Sequence, residues 1–206
     1  MILSILDIGC GNIGSLKNAL DFLNIENKII KNASEIQEAE SLILPGDGSF
    51  KILRSIYDKG YFEPLNDHIK KNKPLLGICL GMQLFADRSE EDVDIEGFGW
   101  IPGKVKKFLS AADNKVPHIG YNSIIIKQPH ETLLGIKDNS DFYFVHSYFY
   151  EPDFTEHILA LTDYSIKFCS IVGYKNIIGT QFHPEKSQEN GLLFLKNFYN
   201  FSKKFY

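Results

Sequence analysis

The stretch Pro74-Leu75-Leu76-Gly77-Ile78-Cys79-Leu80-Gly81-Met82-Gln83 decides the fold. Its first half, Leu75 to Ile78, is a short apolar run entered through a proline, which is typical of a buried strand. After Cys79 the apolar residues recur at helical spacing, so we expect a helix to begin there. Cys79 then occupies a sharp strand-to-helix turn with a glycine two residues away on each side, the Gly-x-nucleophile-x-Gly pattern with cysteine as nucleophile.

A second stretch, Thr180-Gln181-Phe182-His183-Pro184-Glu185-Lys186-Ser187, supplies a base for that cysteine. Side chains two residues apart in an extended segment face the same side, so His183 can face Cys79 while Glu185 orients the His183 ring. A nucleophile, a base and a group that orients the base form a catalytic triad. We therefore predict that Cys79, His183 and Glu185 are the catalytic residues.

These two stretches resemble the class I (triad) glutamine amidotransferases. Three further blocks are similar to one branch of that family, the glutaminase subunits of imidazole glycerol phosphate synthases. They are Leu44-Pro45-Gly46-Asp47-Gly48-Ser49-Phe50, Val116-Pro117-His118-Ile119-Gly120-Tyr121-Asn122 and Tyr143-Phe144-Val145-His146-Ser147-Tyr148. The resemblance extends from Asp7 to the last predicted helix.

The resemblance implies an α/β fold with a mostly parallel, flavodoxin-like open sheet, helices on both faces and added antiparallel edge strands. It also implies hydrolysis of L-glutamine without a cofactor or metal, and transfer of the ammonia to a separate TIM-barrel cyclase subunit in a heterodimer. The residue roles it implies fall into three groups: oxyanion binding by Leu80, Gly46, Asp47 and Gly48; glutamine binding by Gln83, Glu91, Ser147 and Tyr148; and contact with the partner by His118, Tyr121 and Lys186.

Two departures from the family pattern leave alternatives open. Asp47 stands where the family usually has an apolar residue, and Tyr121 where it usually has tryptophan. A paralogous glutaminase that feeds a sugar amidotransferase of surface-polysaccharide synthesis is therefore the first alternative. A stand-alone cysteine hydrolase of γ-glutamyl compounds and a non-catalytic partner protein are the others.

Composition sets the broad class of the protein. With 206 residues, 44% of them hydrophobic, the chain fits a single domain spanning residues 1–206. A net charge of −4 without a dominant basic stretch argues against nucleic-acid binding. We also expect no membrane span and no signal peptide. Three cysteines at unrelated spacings argue against a disulfide framework and favour the cytoplasm.

Several other motifs have structural interpretations. The Gly-x-Gly-x-x-Gly pattern of residues 9–14 suggests a dinucleotide site, but the next predicted strand ends at Lys31 without the acidic residue that would bind a ribose. We expect Cys10 and Cys169 to be buried structural residues. We also expect His68 to be exposed on its helix, and the acidic run of residues 87–92 to be a solvated helix end.

Overall fold

The computed structural model describes residues 1–109 and 115–206. Its strands are β1 (Leu3–Leu6), β2 (Asn27–Ile30), β3 (Ser41–Leu44), β4 (Leu75–Ile78), β5 (Arg88–Ser89), β6 (Gly103–Lys107), β7 (His118–Ser123), β8 (Ile125–Ile126), β9 (Asp141–His146), β10 (Tyr148–Pro152), β11 (Ile158–Tyr164), β12 (Ile166–Tyr174) and β13 (Ile177–Thr180). Its α-helices are α1 (Ile13–Phe22), α2 (Ala33–Glu38), α3 (Ile52–Asp58), α4 (Phe62–Lys70), α5 (Leu80–Gln83) and α6 (Gln188–Ser202).

The main sheet has eight strands in the order β2-β1-β3-β4-β13-β12-β11-β8. The first five are mutually parallel, whereas β12, β11 and β8 continue the sheet in antiparallel pairing. The predicted mostly parallel sheet with added antiparallel strands at one edge is therefore confirmed. Two small sheets, β10-β6-β5 and β7-β9, were not predicted.

Helices cover both faces of the sheet because alternate strand residues point to opposite sides. Leu3 and Ile5 of β1 belong to one apolar core, which also contains side chains of α1 and α6. Leu6 of the same strand belongs to the second core, with side chains of α2, α3 and α4. The inner parallel strands β1, β3, β4 and β13 are buried along their whole length and are therefore almost continuously apolar.

The order of the central strands creates the candidate site. β4 lies between β3 and β13, and all three run in the same direction. The segments that follow them, which begin at Pro45, Cys79 and Gln181, therefore leave the sheet at one edge. This is the carboxyl edge at which open α/β sheets bind ligands.

The predicted helix after Cys79 is present but short: it is a single turn that ends at Gln83, because the chain then leaves to build β5. Two other predictions about local structure are wrong. The acidic run is not a helix end: Ser89 is buried in a strand pair with β6, and Asp92 is buried beside the Arg54 guanidinium at 3.8 Å. His68 is only 2% exposed, because its Nε2 bonds the Pro74 carbonyl at 3.0 Å beneath the start of β4.

Across the two ranges that the structure describes, no helix combines the length and apolar character needed to cross a membrane.

Candidate active site

Cys79 sits at a strained turn between β4 and α5. Its backbone has φ 54° and ψ −109°, a conformation that non-glycine residues rarely adopt and that is often associated with active sites. The turn needs its glycines because the backbone is crowded. A Cβ on Gly81 would lie 2.0 Å from the Leu44 carbonyl oxygen, and one on Gly77 would lie 2.7 Å from the Gly81 carbonyl. The predicted strand-to-helix turn at Cys79 is confirmed.

His183 and Glu185 form a buried pair beside Cys79. The His183 Nδ1 and Glu185 Oε1 atoms are 2.8 Å apart, and each side chain is 3% exposed. The predicted contact between Glu185 and the His183 ring is present, but an extended segment does not produce it. Glu185 lies on a 3₁₀ turn, Pro184–Lys186, and this turn rather than an extended segment brings the carboxylate back to the ring.

The charge environment suits His183 as a proton carrier. Burial on its own disfavours the charged ring, but the Cys79 thiolate and the Glu185 carboxylate outweigh it and raise the pKa of His183. The His183 Nε2 atom is buried and has no hydrogen-bond partner among the described residues. The ring can therefore take a proton from the thiol or give one to a leaving group.

The residues predicted to bind an oxyanion lie next to this turn. A Cβ on Gly46 would lie 2.7 Å from the Gly81 nitrogen, so this segment packs directly on the start of α5. Gly48 has φ +104° and lines the cavity with Asp47 and Leu80. The Asp47 carboxylate accepts a hydrogen bond of 2.7 Å from the Gly11 N–H, which ties the segment to the turn after β1.

A cavity of about 300 Å³ opens beside the Cys79 side chain. It is lined by all four residues predicted to bind glutamine: Gln83, Glu91, Ser147 and Tyr148. Glu91 Oε2 accepts a hydrogen bond from the Phe50 N–H at 2.7 Å, which leaves its other oxygen free of bonds within the described residues. Burial raises the pKa of Glu91, and the Phe50 bond acts in the opposite direction.

Comparison with known proteins identifies the family. The model of the class I glutamine amidotransferases matches residues 4–200. The chain belongs to this family. The HisH subunit of imidazole glycerol phosphate synthase from Leptospira interrogans is 41% identical over 202 residues, which is 96% of this chain and 98% of the relative. The HisH subunit from Pelagibacter ubique is 44% identical over 211 residues, covering 97% and 100% of the two chains.

Solved structures show the same fold. PurLQS from Thermotoga maritima matches with a TM-score of 0.76 at 14% identity, covering 97% of this chain and 98% of that chain. A crystal structure of a glutamine amidotransferase matches with a TM-score of 0.75 at 18% identity, covering 96% and 99%. The predicted class I amidotransferase fold is confirmed.

One residue predicted to contact a partner, His118, has its side chain buried inside this chain. The His118 side chain is 3% exposed, with its ring stacked on Tyr164 at 3.9 Å and its Nδ1 atom 3.0 Å from His146 Nε2. It is buried because β7 pairs with β9, which sets His118 directly opposite His146. Tyr121 and Lys186 are exposed and adjacent, with the Tyr121 hydroxyl donating to the Lys186 carbonyl at 2.8 Å.

Sequence reasoning missed Gln181. This residue is fully buried, and its Nε2 atom lies 3.6 Å from the Cys79 sulfur. Its spacing could have indicated it. Gln181 is two residues before His183, and side chains two residues apart in an extended segment face the same side, so Gln181 would be expected to face Cys79 as His183 does.

The other two cysteines differ from Cys79. Cys169 is 3% exposed, as predicted, and burial raises the pKa of its thiol. Cys10 is half-buried, whereas we expected it to be buried. Desolvation outweighs the opposing effect of a hydrogen bond with the Asp47 backbone and raises the pKa of the Cys10 thiol to about 11. Among the residues that the structure describes, neither thiol has a His-Glu pair beside it comparable to that of Cys79. Within residues 1–109 and 115–206 no group of three side chains could hold a metal ion.

Proposed function

We propose that this chain is the glutaminase subunit of an imidazole glycerol phosphate synthase of histidine biosynthesis. It hydrolyses L-glutamine to glutamate and ammonia, and the ammonia passes to a cyclase partner. The observation that carries the proposal is the strained Cys79 turn beside the buried His183–Glu185 pair, at the mouth of a cavity with polar residues. The near full-length similarity to HisH subunits supports the choice of pathway.

The reaction begins with attack of the Cys79 thiolate on the side-chain carboxamide of glutamine. His183 takes the thiol proton and then donates a proton to the nitrogen as the C–N bond breaks, which releases ammonia and leaves a thioester on Cys79. Water then attacks the thioester with His183 as base, and glutamate leaves. Glu185 holds the His183 ring and stabilises its charged form throughout.

Backbone N–H groups stabilise the negative charge on the oxygen of the tetrahedral intermediate. The Leu80 N–H follows the nucleophile directly, and the Gly46 to Gly48 segment supplies the second donor. One such donor contributes about 2.7–4 kcal/mol to barrier lowering, so its withdrawal slows turnover by ~10²–10³-fold. The positive φ of Gly48 and the lack of any atom near its missing Cβ leave this segment room for a second backbone state.

The cavity suits the α-amino and α-carboxyl groups of a free amino acid. Glu91 offers a carboxylate oxygen to the ammonium group, and the Ser147–Tyr148 corner offers donors to the carboxylate. Gln83 contributes its Oε1 atom, because its Nε2 atom is already bonded to Tyr148 and Gln181. Recognition of both charged groups of the amino acid, the α-ammonium and the α-carboxylate, favours free glutamine over a peptide substrate.

We further propose a cytoplasmic heterodimer in which a TIM-barrel cyclase covers the mouth of the site and receives the ammonia. Tyr121, 49% exposed, and the neighbouring Lys186 are the residues we assign to the interface. The structure changes the role we expect for Asp47. Since its carboxylate accepts a hydrogen bond from the Gly11 N–H, we assign it the role of restraining the oxyanion segment rather than of binding the oxyanion itself.

The test is the steady-state rate of glutamate formation by the purified chain, alone and with the cyclase subunit from the same genome plus its phosphorylated ribonucleotide substrate. We expect a low rate alone and strong activation in the complete complex. The Cys79→Ala variant should be inactive in both conditions, whereas Cys169→Ala, a buried cysteine in β12, should retain activity.

Two outcomes would contradict the proposal. Full activity of the chain alone, unchanged by the complex, would favour a stand-alone hydrolase. Activation by a sugar amidotransferase and not by the cyclase would assign the chain to the paralogous pathway.

A further inference from the structure

A continuous set of hydrogen bonds, buried or partly buried, connects β7 with the nucleophile. From Asn122 it passes through His118 and His146 to the Tyr148 carbonyl, and from there through Gln83 and Gln181 to Cys79 Sγ. No residue of this network except Cys79 belongs to the triad, and its two histidines have no role in the mechanism above.

The direction of the protons in this network follows from chemistry alone. The Tyr148 carbonyl can only accept, so His146 Nδ1, 2.7 Å away, carries a hydrogen and donates it. A neutral ring has one hydrogen, so His146 Nε2 must accept from His118 Nδ1 at 3.0 Å. His118 Nε2 is then also an acceptor, and the Asn122 amide donates to it at 3.3 Å. Both histidines are thereby fixed as Nδ1–H tautomers.

The other branch starts from the same carbonyl. Gln83 bonds the Tyr148 oxygen at 2.9 Å, so the atom of Gln83 that faces it must be the amide nitrogen. The same nitrogen lies 2.9 Å from the Gln181 amide, which must present its oxygen in return. The opposite end of the Gln181 amide is therefore the nitrogen, and it points an N–H at Cys79 Sγ, 3.6 Å away.

We propose that Gln181 is a further catalytic residue, which donates a hydrogen bond to the thiolate of Cys79, and that His118 and His146 are positioning residues that keep this donor aimed at the sulfur. The catalytic meaning of this inference rests on the proposed glutaminase function. When the thiol loses its proton to His183, the sulfur becomes an anion in a buried site. A donor that is already oriented stabilises this anion without reorganisation.

The surroundings fit that role. Gln181 is fully buried, so its amide has no competing water and its bonds to Gln83 and Cys79 fix its rotamer. In the neutral form the thiol has a different partner, the Val145 carbonyl at 3.9 Å, which accepts from S–H. Burial lowers the pKa of His118 to about 4 and that of His146 to about 3, so at neutral pH neither ring gains the second hydrogen that would break the network.

The first test is alkylation of the free chain by iodoacetamide, with the adduct located by peptide mapping. Gln181→Met keeps the size of the side chain and removes the donor. We expect it to lower the alkylation rate of Cys79 at neutral pH by about tenfold, and to move the pH profile of alkylation to higher pH. The titratable groups around Cys79 are unchanged in this variant; they are His183, Glu185, Cys10, Asp47, Glu91 and His146.

A matched control removes a different buried amide. Asn197 of α6 donates to the Thr132 and Leu134 carbonyls at 3.2 and 2.7 Å, away from the site. Asn197→Leu should alkylate at the wild-type rate and with the wild-type pH profile. Equal rates for Gln181→Met and the wild-type protein would overturn the inference.

The second test uses the wild-type protein and does not depend on a variant folding. Imidazole nitrogen shifts in a long-range ¹H–¹⁵N spectrum should identify His118 and His146 as neutral Nδ1–H tautomers. An Nε2–H tautomer or a charged ring at either position would overturn the assignment of His118 and His146 as positioning residues, because the bond from His146 Nδ1 to the Tyr148 carbonyl or the bond between the two rings would then be lost. Neither test needs glutamine or a partner, so their outcome is independent of whether the proposed glutaminase function holds.

Discussion

The buried imidazole of His68 makes the stability of the fold dependent on pH in a way that can be measured. His68 lies on α4 and is 2% exposed, with Nε2 bonded to the Pro74 carbonyl at the entrance to β4. Its other ring nitrogen, Nδ1, is buried without a partner among the described residues. Burial lowers the pKa of His68 to about 4, and the nearby Lys73 and Lys71 ammonium groups act in the same direction.

The direction and the size of the change in unfolding free energy with pH follow from proton linkage. An unfolded histidine has a pKa of about 6.5, so between pH 6.5 and 4 the unfolded chain binds a proton that the native ring does not. The free energy of unfolding therefore falls as the pH decreases through this window, and His68 contributes nothing to the pH dependence above it. For a pKa of about 4 in the native state, the loss from His68 alone at pH 5 is about 2 kcal/mol.

The assay is urea unfolding at pH 7.5 and pH 5 for the wild-type protein and for His68→Gln. Glutamine can still donate to the Pro74 carbonyl but does not titrate. We expect the variant to lose about 2 kcal/mol less than the wild-type protein between the two pH values. Lys70→Gln, an exposed position on the same helix, should behave as the wild-type protein does. Equal losses in His68→Gln and the wild-type protein would refute the reasoning.

Two pairs of variants give further predictions. Gly81→Ala would place a Cβ 2.0 Å from the Leu44 carbonyl oxygen, so we expect the free energy of unfolding, measured by thermal unfolding, to fall by at least ~1–3 kcal/mol. Gly14→Ala has open space around the new Cβ on α1 and should instead raise the free energy of unfolding by ~0.5–1 kcal/mol. His183→Ala should reduce glutamate formation by the complex more than Glu185→Gln, by roughly 10–100-fold, because the base moves protons while the carboxylate orients it. A Glu185→Gln variant as impaired as His183→Ala would show that this division of roles is wrong.

The sequence predicted the features that depend on neighbouring residues. The turn at Cys79 is local, because Gly77 and Gly81 must both be glycine for the strand to turn into a helix without a clash. The parallel strands were equally visible, since strands buried on both faces are continuous apolar runs. The contact of His183 with Glu185 was predicted from their spacing, although a 3₁₀ turn produces it.

Features that depend on strand register were not predictable in the same way. His118 and His146 are 28 residues apart in sequence and meet only because β7 and β9 pair with these two residues opposite each other. A shift of one residue in that pairing would have left His118 on the other face and exposed. The burial of His68 likewise depends on the packing of α4 against the start of β4, which the helix pattern does not specify.

The central claim, that Cys79 is the nucleophile of a glutamine-specific site, is tested most directly by affinity labelling. A diazo-ketone analogue of glutamine carries the α-amino and α-carboxyl groups that the cavity should recognise, and it alkylates the thiolate placed beside them. Peptide mapping by mass spectrometry should find the adduct on Cys79, with Cys10 and Cys169 unmodified and with protection by excess glutamine. An adduct on Cys10, or labelling of Cys79 that glutamine does not slow, would contradict the account.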